Sequence, residues 1–184
     1  MKALVVYESM FGNTEEVARA VGEGLSGEMQ VEMHEVRDAP AVITDFVDLV
    51  VVGGPTHAFS LSRASTRADA VRQGAPAERA ELGLREWLTH LHKGPHSELV
   101  ATFDTRVGKV RHLPGSAAKK AAKLAHALGY ASAGHESFYV SDTPGPLLPG
   151  ELDRARDWGR SLGADMRARH DGRAPSHRSC GGSP

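Results

Sequence analysis

The sequence predicts an α/β fold in which five strands alternate with helices. Short runs of β-branched and apolar residues recur along the chain. Between most of them, apolar residues shift to the spacing of three to four that is typical of an amphipathic helix. Because this alternation joins strands through right-handed crossovers, we expect the strands to pair in parallel.

The first two elements are a strand over 3–7 and a helix over 13–26. The strand is a short apolar run, and the helix places Val17, Val21 and Leu25 on one face. Asn13 is predicted to cap the helix, with Glu16 in the capping-box position.

The second and third strands differ in their patterns. Residues 29–36 alternate apolar and polar side chains, which predicts a half-exposed strand near an edge of the sheet. Residues 47–52 are apolar apart from Asp48, which predicts a central strand covered on both faces and ended by Gly53-Gly54-Pro55.

The second half of the chain continues the alternation. Residues 54–76 are predicted to form a long loop that can act as a lid over a substrate. The later elements are a helix over 77–92, a strand over 99–103, a helix from the Ser116 cap to Gly129, a strand over 135–140 and a helix over about 151–170.

Composition limits the classes of function. The 184 residues fit one domain, predicted over 1–170, and the Gly-, Ser- and Pro-rich residues 171–184 are predicted to be a disordered tail. With 22 basic and 23 acidic side chains, no global positive charge favours nucleic-acid binding. No apolar run approaches the ~20 residues of a membrane span. Cys180 is the only cysteine, which suits a reducing compartment, so a cytoplasmic location is expected.

In an open parallel sheet, ligands bind beyond the carboxyl ends of the strands. The segments expected there are the first loop (residues 8–14), the second loop (53–76), the third loop (104–115) and the fourth loop (141–149).

The first loop carries the hydroxyls of Ser9 and Thr14 and a bend at Gly12, directly before a helix. Unpaired backbone N–H groups there suit an anion. The loop contains no lysine or arginine, so a phosphate monoester would be held mainly by amides and hydroxyls.

Two motifs resemble those of a known family. Residues 9–14, followed by Glu15 and Glu16, resemble the FMN-phosphate loop of flavodoxin-like proteins, which begins with a hydroxyl residue and ends in Gly-Asn-Thr. Its Ser-Met-aromatic start resembles the flavodoxin domains of larger flavoproteins. Residues 53–57, Gly-Gly-Pro-Thr-His, resemble the second flavin-contacting loop of the family.

This resemblance implies a flavodoxin-like three-layer sandwich with strand order 2-1-3-4-5 and FMN as cofactor across the strand ends. It implies phosphate contacts from Ser9, Met10, Phe11, Gly12, Asn13 and Thr14. It implies flavin-ring contacts from Pro55, Thr56, His57, Ala58, Phe59 and Ser60, and from the start of the third loop at Phe103, Asp104 and Thr105.

The sequence also departs from the electron carriers of that family. Both tryptophans fall in predicted helices, which leaves Phe11, His57 and Phe59 as planar groups for the ring, and Ala58 stands where a glycine is often found. Segments 54–76 and 104–115 are net positive, which would raise the reduction potential of a nearby flavin. The cations are Arg63, Arg67 and Arg72 against Asp69, and Arg106, Lys109 and Arg111 against Asp104.

Three functions stay open at this point. The first is an FMN-binding electron-transfer protein, a flavoprotein of electron transport that docks to a redox partner protein. The second is a small FMN-dependent oxidoreductase that reduces a quinone or a similar small-molecule electron acceptor from NAD(P)H. The third is a fold that binds another phosphate compound or only a protein. No metal site and no catalytic side chain is predicted, since H-E-x-x-H and C-x-x-C are absent and Cys180 stands alone.

Overall fold

The computed structural model of the protein describes residues 1–173. Five strands form one parallel sheet in the order β2-β1-β3-β4-β5, as predicted. The strands are β1 (Lys2–Tyr7), β2 (Gln30–Glu35), β3 (Leu49–Pro55), β4 (Leu99–Val107) and β5 (Ala131–Val140). The helices are α1 (Asn13–Leu25), α2 (Ala64–Arg72), α3 (Leu84–His90), α4 (Ala117–Leu128) and α5 (Glu151–Arg173), and short 3₁₀ turns lie at Val36–Asp38, Ala77–Ala80 and Gly108–Val110.

Two apolar cores cover the two faces of the sheet. Helices α1 and α5 pack on one face, where Val5 and Val51 point, and α3 and α4 pack on the other, where Val6 and Val52 point. Successive residues of β1 and β3 therefore enter opposite cores, as the pleat of a strand requires. This explains why residues 47–52 are almost uniformly apolar, whereas β2 at the edge keeps alternating side chains.

The structure corrects several element predictions. Strand β3 includes Gly53-Gly54-Pro55, which was predicted to end it, and β4 continues to Val107, so the first residues of the predicted third loop lie in a strand. The long loop predicted over 54–76 contains α2, which escaped detection because its buried residues are only Arg67 and Ala70, so that no apolar stripe marks it. The helix predicted over 77–92 is a 3₁₀ turn followed by α3, with an extended residue at Gly83 between them. Strand β5 begins four residues earlier than predicted and contains a bulge opposite Val100 and Ala101.

The helix ends agree with the sequence in part. Ser116 caps α4 by accepting a hydrogen bond from the Lys119 N–H, and Gly129 ends it in a left-handed conformation. Asn13 is the first residue of α1 rather than its cap, which is Gly12. Helix α5 continues to Arg173, into the predicted tail, and the rest of that tail lies outside the described residues. No helix within residues 1–173 is long and apolar enough to cross a membrane.

Candidate functional site

A cavity lies at the carboxyl ends of β1, β3 and β4, where the fold places its loops together. It is bordered by the first loop, the end of β3, the end of β4 and the fourth loop. Its lining residues are Ser9, Met10, Phe11, Asn13, Thr14, Pro55, Thr56, His57, Thr105, Arg106, Val107, Val140 and Thr143.

The first loop presents a row of backbone donors. Gly12 adopts a φ of +92°, a conformation that costs glycine little, and α1 begins at the next residue. The Ser9 Oγ accepts hydrogen bonds from the N–H groups of Gly12 (3.1 Å) and Glu15 (3.3 Å). Within the described chain, no acceptor faces the N–H groups of Met10, Phe11, Asn13 and Thr14. Four free donors at a helix N-terminus form a cradle for an anion.

Side chains of the first loop attach it to the neighbouring loops. The hydroxyls of Thr14 and Thr105 lie 2.7 Å apart and join the loop to the end of β4. Asn13 Nδ2 donates to the Pro144 carbonyl at 3.1 Å, which ties the loop to the fourth loop. Asn13, predicted as a helix cap, thus serves as a bridge between two loops.

The second loop contains a tight turn over residues 57–60. His57 and Ser60 exchange both backbone hydrogen bonds, at 2.9 and 3.0 Å, and the two residues between them have positive φ: 46° at Ala58 and 62° at Phe59. Phe59 is 48% exposed and its backbone lies against Gly115 of the third loop. Burial lowers the pKa of His57, helped by the positive charge of Arg67, so its imidazole is neutral at neutral pH.

A buried carboxylate joins the second and third loops. Asp104 Oδ2 accepts from the Thr56 hydroxyl (2.8 Å) and from the Ala118 N–H at the start of α4 (3.1 Å). The Thr56 Oγ1 in turn accepts from the Ala117 N–H at 2.8 Å. Asp104 therefore holds the ends of β3 and β4 against α4 from beneath the cavity.

Not every predicted site residue lines the cavity. Ala58 borders an adjoining cavity instead, together with Thr56 and His57. Phe103 lies in the core under α1 and α5, where its ring packs edge-on against Phe138 and Trp158. Also absent from the lining are Gly12, Phe59, Ser60 and Asp104. Four residues outside the predicted set of contacts also line it: Arg106, which was expected only as a nearby cation, and Val107, Val140 and Thr143. Their positions in the sequence could have indicated this, since each follows or ends a predicted strand.

The basic side chains near the site, predicted to give it a net positive charge, have different partners in the structure. Arg67 is buried and pairs with both carboxylate oxygens of Glu86, at 3.2 and 3.3 Å. Arg72 pairs with Asp69 on the surface. Arg106 is buried and donates to the carbonyls of Val110 and Leu113. Lys109 and Arg111 of the third loop and Arg63 remain exposed. Carboxylates thus neutralise Arg67 and Arg72, whereas Arg106 keeps its positive charge in the lining of the cavity.

Metal binding has no structural candidate among residues 1–173, since they contain no group of three or more His, Cys, Asp or Glu side chains that would hold an ion. Cys180, the only cysteine of the sequence, lies outside the described residues.

Comparisons with known proteins agree with this architecture. The flavodoxin family model matches residues 5–81, from β1 through the 3₁₀ turn before α3. A search of curated proteins finds no match. Among solved structures, a flavodoxin from the domain Archaea is 17% identical with a TM-score of 0.59, covering 91% of this chain and 99% of its own. A flavodoxin of Streptococcus pneumoniae is also 17% identical with a TM-score of 0.61, covering 90% of this chain and 99% of its own.

Part of a larger protein has the same fold. The rubredoxin oxygen:oxidoreductase of Desulfovibrio gigas is 14% identical with a TM-score of 0.59, and the match covers 92% of this chain but 37% of that one. The fold is thus a five-stranded parallel α/β sandwich with its loops gathered at the strand ends. The chain therefore has the flavodoxin-like fold that its two motifs predict.

Proposed function

We propose that the protein binds FMN and transfers electrons through it. The observation that carries the proposal is the row of four unpaired N–H groups in the first loop, placed at the start of α1 and at the edge of the strand-end cavity. The match to the flavodoxin family model, which includes this loop, supports a phosphorylated flavin over other anions.

The residues present fit such a cofactor. Phosphate contacts are proposed for the backbone of residues 9–14, where hydroxyls and N–H groups supply donors. Ring contacts are proposed for residues 55–60 and for Thr105, with Phe11, His57 and Phe59 as the planar groups. Phe103 and Asp104 enter this proposal as supports of the loops, because their side chains point into the core and toward α4.

The flavin would supply the redox chemistry, and the chain's part is to hold and shield it. The Thr14–Thr105 contact fixes the first loop against β4, and the Asp104–Thr56 contact fixes β3 against α4. A ring between the second and third loops would therefore rest on two braced strand ends. The neutral imidazole of His57 would face it as a hydrogen-bonding group without charge.

A second candidate function is favoured by one observation. A further cavity adjoins the first across Thr56 and His57. Its other wall is formed by α2 and the residue that follows it, through Thr66, Asp69, Ala70 and Gln73. A cavity beside the proposed ring position provides room for a small electron acceptor. We therefore keep, as the alternative, an FMN-dependent oxidoreductase that reduces a quinone or similar acceptor from NAD(P)H.

The experiment that separates the two starts from protein loaded with FMN. Rapid NADPH or NADH oxidation with added menadione would select the oxidoreductase; reduction only by an added flavodoxin reductase would select the carrier. In the first case Gln73→Trp, which fills the second cavity, is expected to slow menadione reduction at least tenfold, whereas Gln30→Trp at the far end of β2 leaves it unchanged. Equal rates in both variants would argue against the second cavity as the acceptor site.

We also propose that residues 1–170 act as one flavodoxin-like domain in a reducing, cytoplasmic environment. The two cores that span β1 to α5 support the first part. The single cysteine of the sequence supports the second.

A further inference from the structure

Arg79 is the residue that brings a positive charge to the first loop. It lies in the 3₁₀ turn at Ala77–Ala80, far from the loop along the chain. Its Nη1 donates to the Ser9 carbonyl at 3.2 Å, and its Nη2 donates to Glu15 Oε2 at 3.0 Å. One guanidinium therefore contacts the loop backbone and the acidic side chain that follows it.

Glu15 is a problem for any phosphate at this position. It lies in the first turn of α1, next to the unpaired N–H groups, and its side chain is only about one-fifth exposed. Hydrogen bonding from Arg19 lowers its pKa, and Arg79 lowers it further, so the carboxylate is ionised at neutral pH. A carboxylate in the first turn competes for the same dipole and N–H groups as a phosphate, and repels it.

The two arginines on Glu15 are not equivalent. Arg19 pairs with Glu15 Oε1 at 2.8 Å from an exposed position one turn along α1, where solvent screens the pair. Arg79 is only 24% exposed and reaches the loop backbone as well. Because Arg79 contacts both Glu15 and the backbone of the first loop, it is placed to offset the Glu15 charge next to that loop.

We propose that Arg79 makes this site selective for a phosphorylated flavin, by neutralising Glu15 and by holding the Ser9 carbonyl away from the anion. Arg79 acts as a positioning residue, since its contacts are to the loop and not to the ligand. The inference rests on the proposed FMN site. It predicts that Arg79 affects the phosphate end of the ligand and leaves the ring end unaffected.

The test compares FMN with riboflavin, which has the same ring but no phosphate. Quenching of flavin fluorescence gives both dissociation constants for the wild type, Arg79→Gln and Arg79→Lys. For Arg79→Gln we expect FMN to bind at least tenfold more weakly, which is about 1.4 kcal/mol or more, and riboflavin to change less than twofold. Arg79→Lys keeps the charge and is expected to lose less FMN affinity than Arg79→Gln.

Two further variants separate the effect of the Glu15 charge from the effect of losing the Arg79 side chain. Glu15→Gln combined with Arg79→Gln removes the repulsion and is expected to restore most of the FMN affinity. Arg19→Gln, the matched control on the same carboxylate, is expected to change it less than threefold.

Equal losses for FMN and riboflavin, or no recovery in the double variant, would overturn the role of Arg79 as a phosphate selector. If the wild type itself bound no FMN, the proposed function would fail instead, which keeps the two conclusions apart.

Discussion

At the scale of single residues, the turn over 57–60 stores backbone strain next to the proposed ring position. Ala58 and Phe59 are the only non-glycine residues with positive φ in the described part of the chain. A left-handed conformation costs an L-residue roughly 1–2 kcal/mol, and such strain persists where surrounding structure enforces it. Here the enforcing contacts are the paired hydrogen bonds of His57 and Ser60 and the packing of Phe59 on Gly115.

Replacing Ala58 by glycine is expected to raise the free energy of unfolding by about 0.5–1 kcal/mol, because relief of strain exceeds the added freedom of the unfolded chain. Ala68→Gly in the exposed face of α2 is the matched control, expected to lower it by about 1 kcal/mol. Urea denaturation of both variants measures the difference. A loss of stability in Ala58→Gly would mean that the turn is not strained.

Glu8 is a buried carboxyl group that makes the stability of the protein depend on pH. Its carboxyl is 1% exposed; Oε2 accepts from the Leu84 N–H at 2.9 Å, and Oε1 has no partner. Burial raises its pKa, and the nearby Glu86 carboxylate adds to the rise, against the hydrogen bond from Leu84 and the charge of Arg67. Because the folded state favours the protonated acid, the stability that Glu8 contributes is present at low pH and lost as the pH rises through its folded pKa.

Glu8→Gln mimics the protonated acid at every pH. We therefore expect the variant to gain stability relative to the wild type as the pH rises from 5 to 8, with the smallest difference at the acidic end. Urea unfolding at several pH values measures this. A difference that stays constant, or that grows toward acid, would show that Glu8 is ionised in the folded protein.

At the scale of elements, α2 is held by polar contacts rather than by an apolar stripe. Arg67 is 2% exposed and donates to Ser62 Oγ, the Ala80 carbonyl and both carboxylate oxygens of Glu86. It thereby joins α2 to the 3₁₀ turn that carries Arg79 and to α3. The wall that α2 gives the second cavity therefore depends on this one side chain.

Arg67→Met is expected to cost about 3 kcal/mol of unfolding free energy, since it leaves buried acceptors without donors. Arg72→Met, on the same helix but in an exposed pair with Asp69, is expected to cost about 0.5 kcal/mol or less. Thermal or urea unfolding of the two variants gives the comparison. Similar costs for both would mean that the buried arginine is replaceable by apolar packing.

Helix α2 also shows which parts of the fold could not be predicted from the sequence. The strands and the helices α1, α4 and α5 were predictable, because apolar spacing records which face each buries. Helix α2 carries no such stripe, and its buried residue is an arginine whose partners lie in other elements. Arg79 reaches the first loop across more than sixty positions of chain, so the loop appeared to lack any cation.

At the scale of the whole molecule, the site is an assembly of loops from four strand ends. The sequence placed the first loop through its Gly-Asn-Thr pattern and its position before a helix. The roles of its neighbours depend on pairing that no local pattern records: Thr14 meets Thr105, Asn13 meets Pro144, and Asp104 turns toward α4. The motif thus predicts where the proposed site lies, and the tertiary contacts decide which residues face the cavity there.

The central claim is that the first loop binds the phosphate of FMN, and a titration of flavin fluorescence tests it most directly. The wild type is compared with Gly12→Ala and with Gly134→Ala, a second glycine of positive φ with open space around it, in β5 away from the loop. Both substitutions strain the backbone, so stability falls in each. The account predicts saturable quenching in the wild type and in Gly134→Ala, and binding at least tenfold weaker in Gly12→Ala. Absence of quenching at tens of micromolar FMN, or equal affinity in all three proteins, would contradict it.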